Sequence, residues 1–253
     1  MTDPSLFPDL ILFIAGAVVA AFVQGLSGFA FGLTAMSFWV WGISPQFAAV
    51  MVVFGSIVGQ VTALLSIRQP FFPKAILPYL AGGLAGIPLG VFVLPLLNAE
   101  IFKLGFGVFL VFWCVAMLLS PRIPPVKNTG VLSDMLIGAV GGFMGGIGGF
   151  TGVVPTLWCT LRKLENNIQR TIVQNFNLSA LSITLIVYAT RGMLTRQILS
   201  FMPLVVVAVL LPSILGARIY LSLNQRAFRR VVLILLCLSG LAMILAAALK
   251  LMA

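Results

Sequence analysis

Eight mostly apolar stretches, at roughly 10–40, 47–66, 76–97, 102–119, 133–158, 171–190, 198–222 and 228–249, follow one another with little polar chain between them. An α-helix needs about 20 such residues to cross the hydrocarbon of a bilayer. There every backbone N–H and C=O must find its partner inside the protein, which restricts the chain to helices or a closed barrel. Runs this long and uniformly apolar read as helices. With 61% hydrophobic and 8% charged residues over 253 positions, the polar surface is too small to cover a soluble domain. The expected fold class is an all-α integral membrane protein, multi-pass in the cell (inner) membrane. Met1-Thr2-Asp3-Pro4 offers neither the basic n-region nor the cleavage site of a secretory signal, so Leu10 onward reads as mature protein.

Only Ser120-Pro121-Arg122-Ile123-Pro124-Pro125-Val126-Lys127-Asn128-Thr129-Gly130 has the composition of a linker, since its prolines stop a helix and its polarity rises. The organisation expected is an N-terminal tail (1–9), a first membrane repeat (10–120), a linker (121–132) and a second repeat (133–250) of about the same 120 residues. Leu97-Asn98-Ala99-Glu100-Ile101-Phe102-Lys103 matches Leu223-Asn224-Gln225-Arg226-Ala227-Phe228-Arg229 in its Leu, Asn, Phe and basic positions. Arg68 and Arg191 each follow the second apolar segment of their half. If the first and fifth segments dip in and return as hairpins, each half crosses three times and the repeats are inverted. Arg68, Lys74, Arg122, Lys127, Arg162, Lys163, Arg170, Arg218, Arg226, Arg229 and Arg230 then share the cytoplasmic side, against Lys103, Arg191, Arg196 and Lys250 outside. That obeys the positive-inside rule better than eight simple crossings, the rival arrangement.

Glycine breaks carry the functional signal. Six glycines lie between 141 and 149, in Gly141-Gly142-Phe143-Met144-Gly145-Gly146-Ile147-Gly148-Gly149, and a looser copy is Gly25-Leu26-Ser27-Gly28-Phe29-Ala30-Phe31-Gly32. Each interior glycine costs a helix about 1 kcal/mol relative to alanine, so the cluster predicts an interruption rather than a continuous helix. Paired breaks in the two halves of a membrane protein point to a transporter's binding site. The second half of a broken helix starts with unpaired N–H groups and partial positive charge, which can hold an anion without a cationic side chain. Close packing of helices is the competing explanation of the glycines.

The carboxylates Asp3, Asp9, Glu100, Asp134 and Glu165 all avoid the middle of the apolar runs, and there is no histidine. That argues against a cation pump of the ordinary kind and against an acid/base enzyme. Cys114, Cys159 and Cys237 are scattered, so neither a metal site nor a cofactor is expected. The net charge of +10 is spread between apolar segments and suggests membrane anchoring, not nucleic acid. Neutral polar residues gather by the breaks, among them Ser56, Gln60, Thr156 and Asn177. The expected substrate contacts are Gln24, Ser27, Gly28, Phe29 and Thr34 in the first half. In the second they are Gly148, Gly149, Phe150, Thr151, Gln174 and Asn175. Hydrogen bonding between helices is the alternative for each Ser and Thr. Arg170, one turn from Gln174, either draws anions inward or snorkels at the membrane edge.

With the Gly-Leu-Ser-Gly-Phe break at 25–29, the Gly-Gly-Ile-Gly-Gly-Phe break at 145–150 and the polar stretch Arg170-Thr171-Ile172-Val173-Gln174-Asn175, the chain resembles the TauE/SafE family of sulfite exporters from about Leu10 to Leu249. Pro155, Thr171 and Asn175 fall where that family has Pro and Thr-Ser or Thr-Asn; the Gln174-Asn175 pair departs from its pattern. The resemblance implies an inner-membrane carrier of small sulfur-containing anions, sulfite or an organosulfonate such as sulfoacetate. The expectation is therefore a secondary transporter, not an enzyme, working by alternating access with the anion between the two breaks. Its partners would be the bilayer and a small anion, with room for a coupling proton and a homo-oligomer. The alternative is the same fold carrying a neutral solute, amino acid or cation.

Overall fold

The computed structural model describes residues 6–66, 73–127, 129–219 and 225–252. Among the described residues there are ten α-helices: α1 (Leu6–Ser27), α2 (Phe31–Trp39), α3 (Pro45–Ser66), α4 (Pro73–Val93), α5 (Ala99–Leu119), α6 (Val131–Gly148), α7 (Val153–Leu161), α8 (Asn166–Thr190), α9 (Arg196–Ile219) and α10 (Gln225–Met252). Eight are long and apolar enough to cross a membrane, and α2 and α7, at 9 residues each, are the exceptions. The order long, short, long, long, long occurs once before the linker and once after it. The fourth helix of each set carries two internal prolines, Pro78 and Pro88 in α4, Pro203 and Pro212 in α9. Asn98 Oδ1 accepts from Ile101 N–H at 2.7 Å and caps α5, satisfying one of the unpaired amides of a first helical turn. Of its sequence match, Leu223 and Asn224 lie outside the described residues, as does Arg68; α10 begins directly after them at Gln225.

Partners are exchanged between the halves: α1 packs along α9, α4 along α6, and α5 along α10. Small residues let the backbones meet. On α4, Gly82, Gly86 and Gly90 recur every fourth position and so share a face; on α6, Gly138, Gly142 and Gly146 do the same. A Cβ at Gly82 would overlap the Met135 carbonyl, one at Gly86 the Ala139 carbonyl, and one at Gly142 would come 2.5 Å from Gly83 O. Gly25 lies against Ser213 and Ala217 of α9, and Gly107 of α5 faces Gly240 of α10. Such close approach is how helices associate in lipid, where no hydrophobic drive remains between them.

This corrects the expectation for the 141–149 cluster. The helix α6 runs unbroken through Gly141, Gly142, Gly145, Gly146 and Gly148 and turns only at Gly149. The intrinsic cost of those glycines is offset by the backbone contacts they make with α4 and with the returning α7. The expected breaks are therefore single left-handed glycines, Gly28 at φ 86° and Gly149 at φ 74°, where a Cβ would be strained. They are also ordinary helix stops of the αL type.

Beyond each break the chain doubles back. Trp39, at the end of α2, stacks on Phe13 near the start of α1 (4.7 Å) and donates its Nε1–H to the Phe13 carbonyl (3.0 Å). In the second set, Asp134 at the start of α6 accepts from Trp158 Nε1 (2.8 Å) at the end of α7, from Arg162 Nη1 (3.2 Å) and from Tyr79 Oη of α4 (2.8 Å). Both pairs are helical hairpins. Trp41, just past α2, lies under the Lys103 ammonium of α5 at 5.0 Å, so the first hairpin opens where α5 begins. The second opens where α4 begins, beside Tyr79. Because α4 and α5 are joined end to start, those are opposite ends of the bundle.

Replacing Gly86 with leucine is expected to overpack the α4–α6 line by at least the ~1–3 kcal/mol typical of inserted bulk, read as lost monodisperse protein and a lower Tm in detergent. Gly105→Ala is the control, since nothing lies within 4 Å of its Cβ position; it should leave Tm unchanged or raise it, in line with a helix gain of about 1 kcal/mol. A wild-type Tm for Gly86→Leu would contradict the contact.

Candidate functional site: the meeting of the two hairpin tips

Each hairpin tip reaches the other. The Cβ position of Gly32 is 3.0 Å from Gly149 O, and that of Gly152 is 2.9 Å from both Phe29 Cβ and Asn177 Oδ1 of α8. That of Gly28 is 3.3 Å from Gln174 Nε2. Ser27 ends α1 by accepting from Phe29 N–H (3.4 Å) and Ala30 N–H (3.2 Å). The backbone ladder of α2 starts at Thr34 N–H to Ala30 (3.1 Å), and that of α7 at Thr156 N–H to Gly152 (3.0 Å). The amides before those rungs form the positive end of each helix, although in α7 Val153 N–H already turns to Phe150 O (3.2 Å) and Pro155 has no N–H. Two such ends thus lie side by side in the interior.

Beside them runs a chain of buried amides. Gln24 of α1 donates its Nε2 to Ser56 O and to Gln60 Oε1 of α3, both at 2.9 Å. Gln60 donates its own Nε2 to the Gln174 carbonyl of α8 (3.3 Å). The backbone acceptor at each end fixes which amide atom is nitrogen, so Gln24 Oε1 is the atom left over. It has no hydrogen-bond partner, nor do Gln174 Oε1, Asn175 Nδ2 and Ser213 Oγ, all buried. Thr151 donates its hydroxyl to Asn177 Oδ1. Arg170 is also buried, at 6% exposure, and donates Nη2 to Gly25 O (3.2 Å) in the last turn of α1. It does not snorkel at the edge.

The sequence-selected residues divide accordingly. Gln24, Ser27, Gly28, Gly149, Thr151 and Gln174 converge on the tips, and Phe29 closes over Gly152 and against Trp113 (5.8 Å). Asn175 is buried one position away from Gln174. Phe150 sits between the tips and α5: its ring edge is 3.1 Å from the Cβ position of Gly32, while the ring also folds over Gly148 and stacks on Phe106 at 4.9 Å. Thr34 bonds back to Ala30 O (3.0 Å) and lines a cleft toward α10. Three contributors, Gln60, Asn177 and Arg170, were not among the selected contacts. Spacing could have found two of them: Arg170, Gln174 and Asn177 stand at i, i+4 and i+7, one face of a helix, whereas Asn175 is about 100° around from Gln174.

No group of three or more His, Cys, Asp or Glu that could hold a metal occurs among the described residues. The arrangement suits hydrogen bonding to a small polar ligand with partial positive charge nearby. Against known proteins, no curated protein and no solved structure matches the chain. The family model described as sulfite exporter TauE/SafE matches residues 12–243. With eight helices able to span a bilayer and a match over nearly its whole length, this multi-pass inner-membrane protein belongs to the TauE/SafE family of sulfite-exporter-type membrane transporters.

Proposed function

We propose that the protein is a secondary transporter of a small sulfur-containing oxyanion, sulfite or an organosulfonate such as sulfoacetate, and not an enzyme. The observation that carries this reading is the meeting of the two broken helices, Gly28–Gly32 and Gly149–Gly152, beside buried amides whose hydrogen-bonding atoms are unpaired. A buried polar atom without a partner costs about 1–3 kcal/mol, a cost that a bound ligand would relieve. First-turn amides of α2 would donate to the oxyanion. The guanidinium of Arg170, one turn before Gln174, adds positive charge beside the same tip. Gln24 Oε1 and Gln174 Oε1 accept rather than donate, which suits an oxyanion that carries a proton, and would bring a coupling proton in with the substrate.

Hairpins opening at opposite ends fit inverted repeats, and alternating access would rock one half against the other about the shared tips. Opening the site toward either end would separate Gln60 from the Gln174 carbonyl or Gly152 from Asn177. The two unpaired carbonyl oxygens are the specific observation in favour of a second reading, a cation or neutral donor such as an amino acid as the cargo.

Ligand-dependent thermal stability of the purified protein distinguishes the two, because a ligand that binds only the folded state raises Tm with concentration, by about 2.7 kcal/mol of stability at a hundred times its Kd. Sulfite or sulfoacetate should raise it while sodium and amino acids do not; the reverse pattern would select the second reading. In liposomes, Gln174→Leu should lower oxyanion flux at least about tenfold, the effect of losing one hydrogen bond to a charged ligand, and Asn177→Leu should lower it by releasing Thr151 beside the second tip. Wild-type flux in both variants would take α8 out of the path.

A further inference from the structure

A cleft of about 450 Å³ lies between α1, α2 and α10, walled by Leu12, Val19, Val23, Phe38, Val232 and Leu236. Two of the three hydroxyls along it are already used, Thr34 donating to Ala30 O (3.0 Å) and Ser37 to Leu33 O (2.8 Å), and Ser239 is the third. The rest of the lining is mostly hydrocarbon. From Leu12 to Val23 the wall runs about 16 Å at 1.5 Å per residue, close to one leaflet of a ~30 Å hydrocarbon core.

The same place in the other half is filled. There the short helix α7 is sealed by α5, whose Trp113 Nε1 donates to Val153 O (3.2 Å) and whose Phe106 and Phe109 cover Phe150 (4.9 and 6.3 Å). Opposite α2, α10 offers Val232, Leu235, Leu236 and Ser239 instead, and leaves a gap. An apolar cavity does not hold water, and an unfilled one forfeits dispersion contacts along its lining. The gap is flanked by exposed apolar residues, Val19 at 40% and Leu235 at 60%, so it opens to the side, where acyl chains are at hand.

Its mouth carries charge. Trp41 lines the cleft, and the Lys103 ammonium sits over its ring at 5.0 Å. Lys250 joins the same end through Glu100 (2.7 Å), leaving two ammonium groups to one carboxylate. We infer that this cleft binds one acyl chain of an anionic phospholipid, with the phosphate on Lys103 beside Trp41. The chain fills the space between α2 and α10 and braces the short arm of the first hairpin. This inference does not depend on what the protein transports.

The test is tryptophan fluorescence of the purified full chain in mixed micelles, titrated with phosphatidylglycerol carrying brominated acyl chains. Quenching should be saturable, absent in Trp41→Phe, and unaffected by sulfite or sulfoacetate. Lys103→Gln should weaken the apparent affinity about fivefold, the effect expected of one basic residue near an anionic head group. Ser239→Phe, which fills the cleft, should remove the quenching without lowering Tm; Val232→Phe serves if that variant does not fold. Equal quenching by brominated phosphatidylcholine, quenching that persists with the cleft filled, or displacement by sulfoacetate would each overturn the inference. The last outcome would assign the cleft to the tail of an organic anion.

Discussion

Hydrocarbon offers no partner to a peptide group, and that single fact governs how this chain is built. At a break inside a bilayer the stopped helix exposes acceptors and the resumed helix exposes donors, and both must be enclosed by protein. Here two stopped helices enclose one another. The tip at Gly28 is closed by Ser27 and by Gln174 of α8; the tip at Gly149 lies against Val52 of α3 and the backbone near Gly32. Neither hairpin would be tolerable alone, so the site and the fold are one structural problem with one solution.

Much of this is legible in the residues, and the failures have a physical pattern. The membrane class and the eight spanning helices follow from apolar length, and the turns at Gly28 and Gly149 from glycines that no local partner can replace. The extent of the second break does not follow. Helix propensity counts the cost of a glycine within its own helix, while the benefit at Gly138, Gly142 and Gly146 comes from α4, some fifty residues earlier. The repeating fourth-residue spacing in both segments held the clue. At the site, adjacency misleads: Gln174 and Asn175 are neighbours in sequence but point about 100° apart on a helix. The face that matters joins Gln174 to Arg170 and Asn177.

The two halves agree in element order and differ in chemistry. At matching places Gly28 meets an amide side chain, Gln174, and Gly149 meets a valine, Val52. Gln24, Gln60 and Gln174 tie α1, α3 and α8 on one flank, and no comparable chain flanks the Gly149 tip among the described residues. The hairpin mouths differ as well. Stacked aromatics hold Trp39 to Phe13, whereas a carboxylate gathers Tyr79, Trp158 and Arg162. Two equivalent backbones therefore present unequal surroundings to whatever lies between them, as a carrier with distinguishable ends requires.

The exchanged pairing of α1 with α9 and of α6 with α4 also bears on biosynthesis. A ribosome delivers α1 first and α9 almost last, so the glycine face around Gly25 waits in the membrane for most of translation before Gly216 and Ala217 arrive. Gln24 can bond to Ser56 and Gln60 once α3 is made, whereas the Gly25 carbonyl waits for Arg170 of α8. The second hairpin finds α4 already in place, whereas the first, closed on itself by Phe13 and Trp39, meets α9 only later. Assembly is thus ordered by the pairing itself, and the N-terminal half matures only when the C-terminal half closes over it.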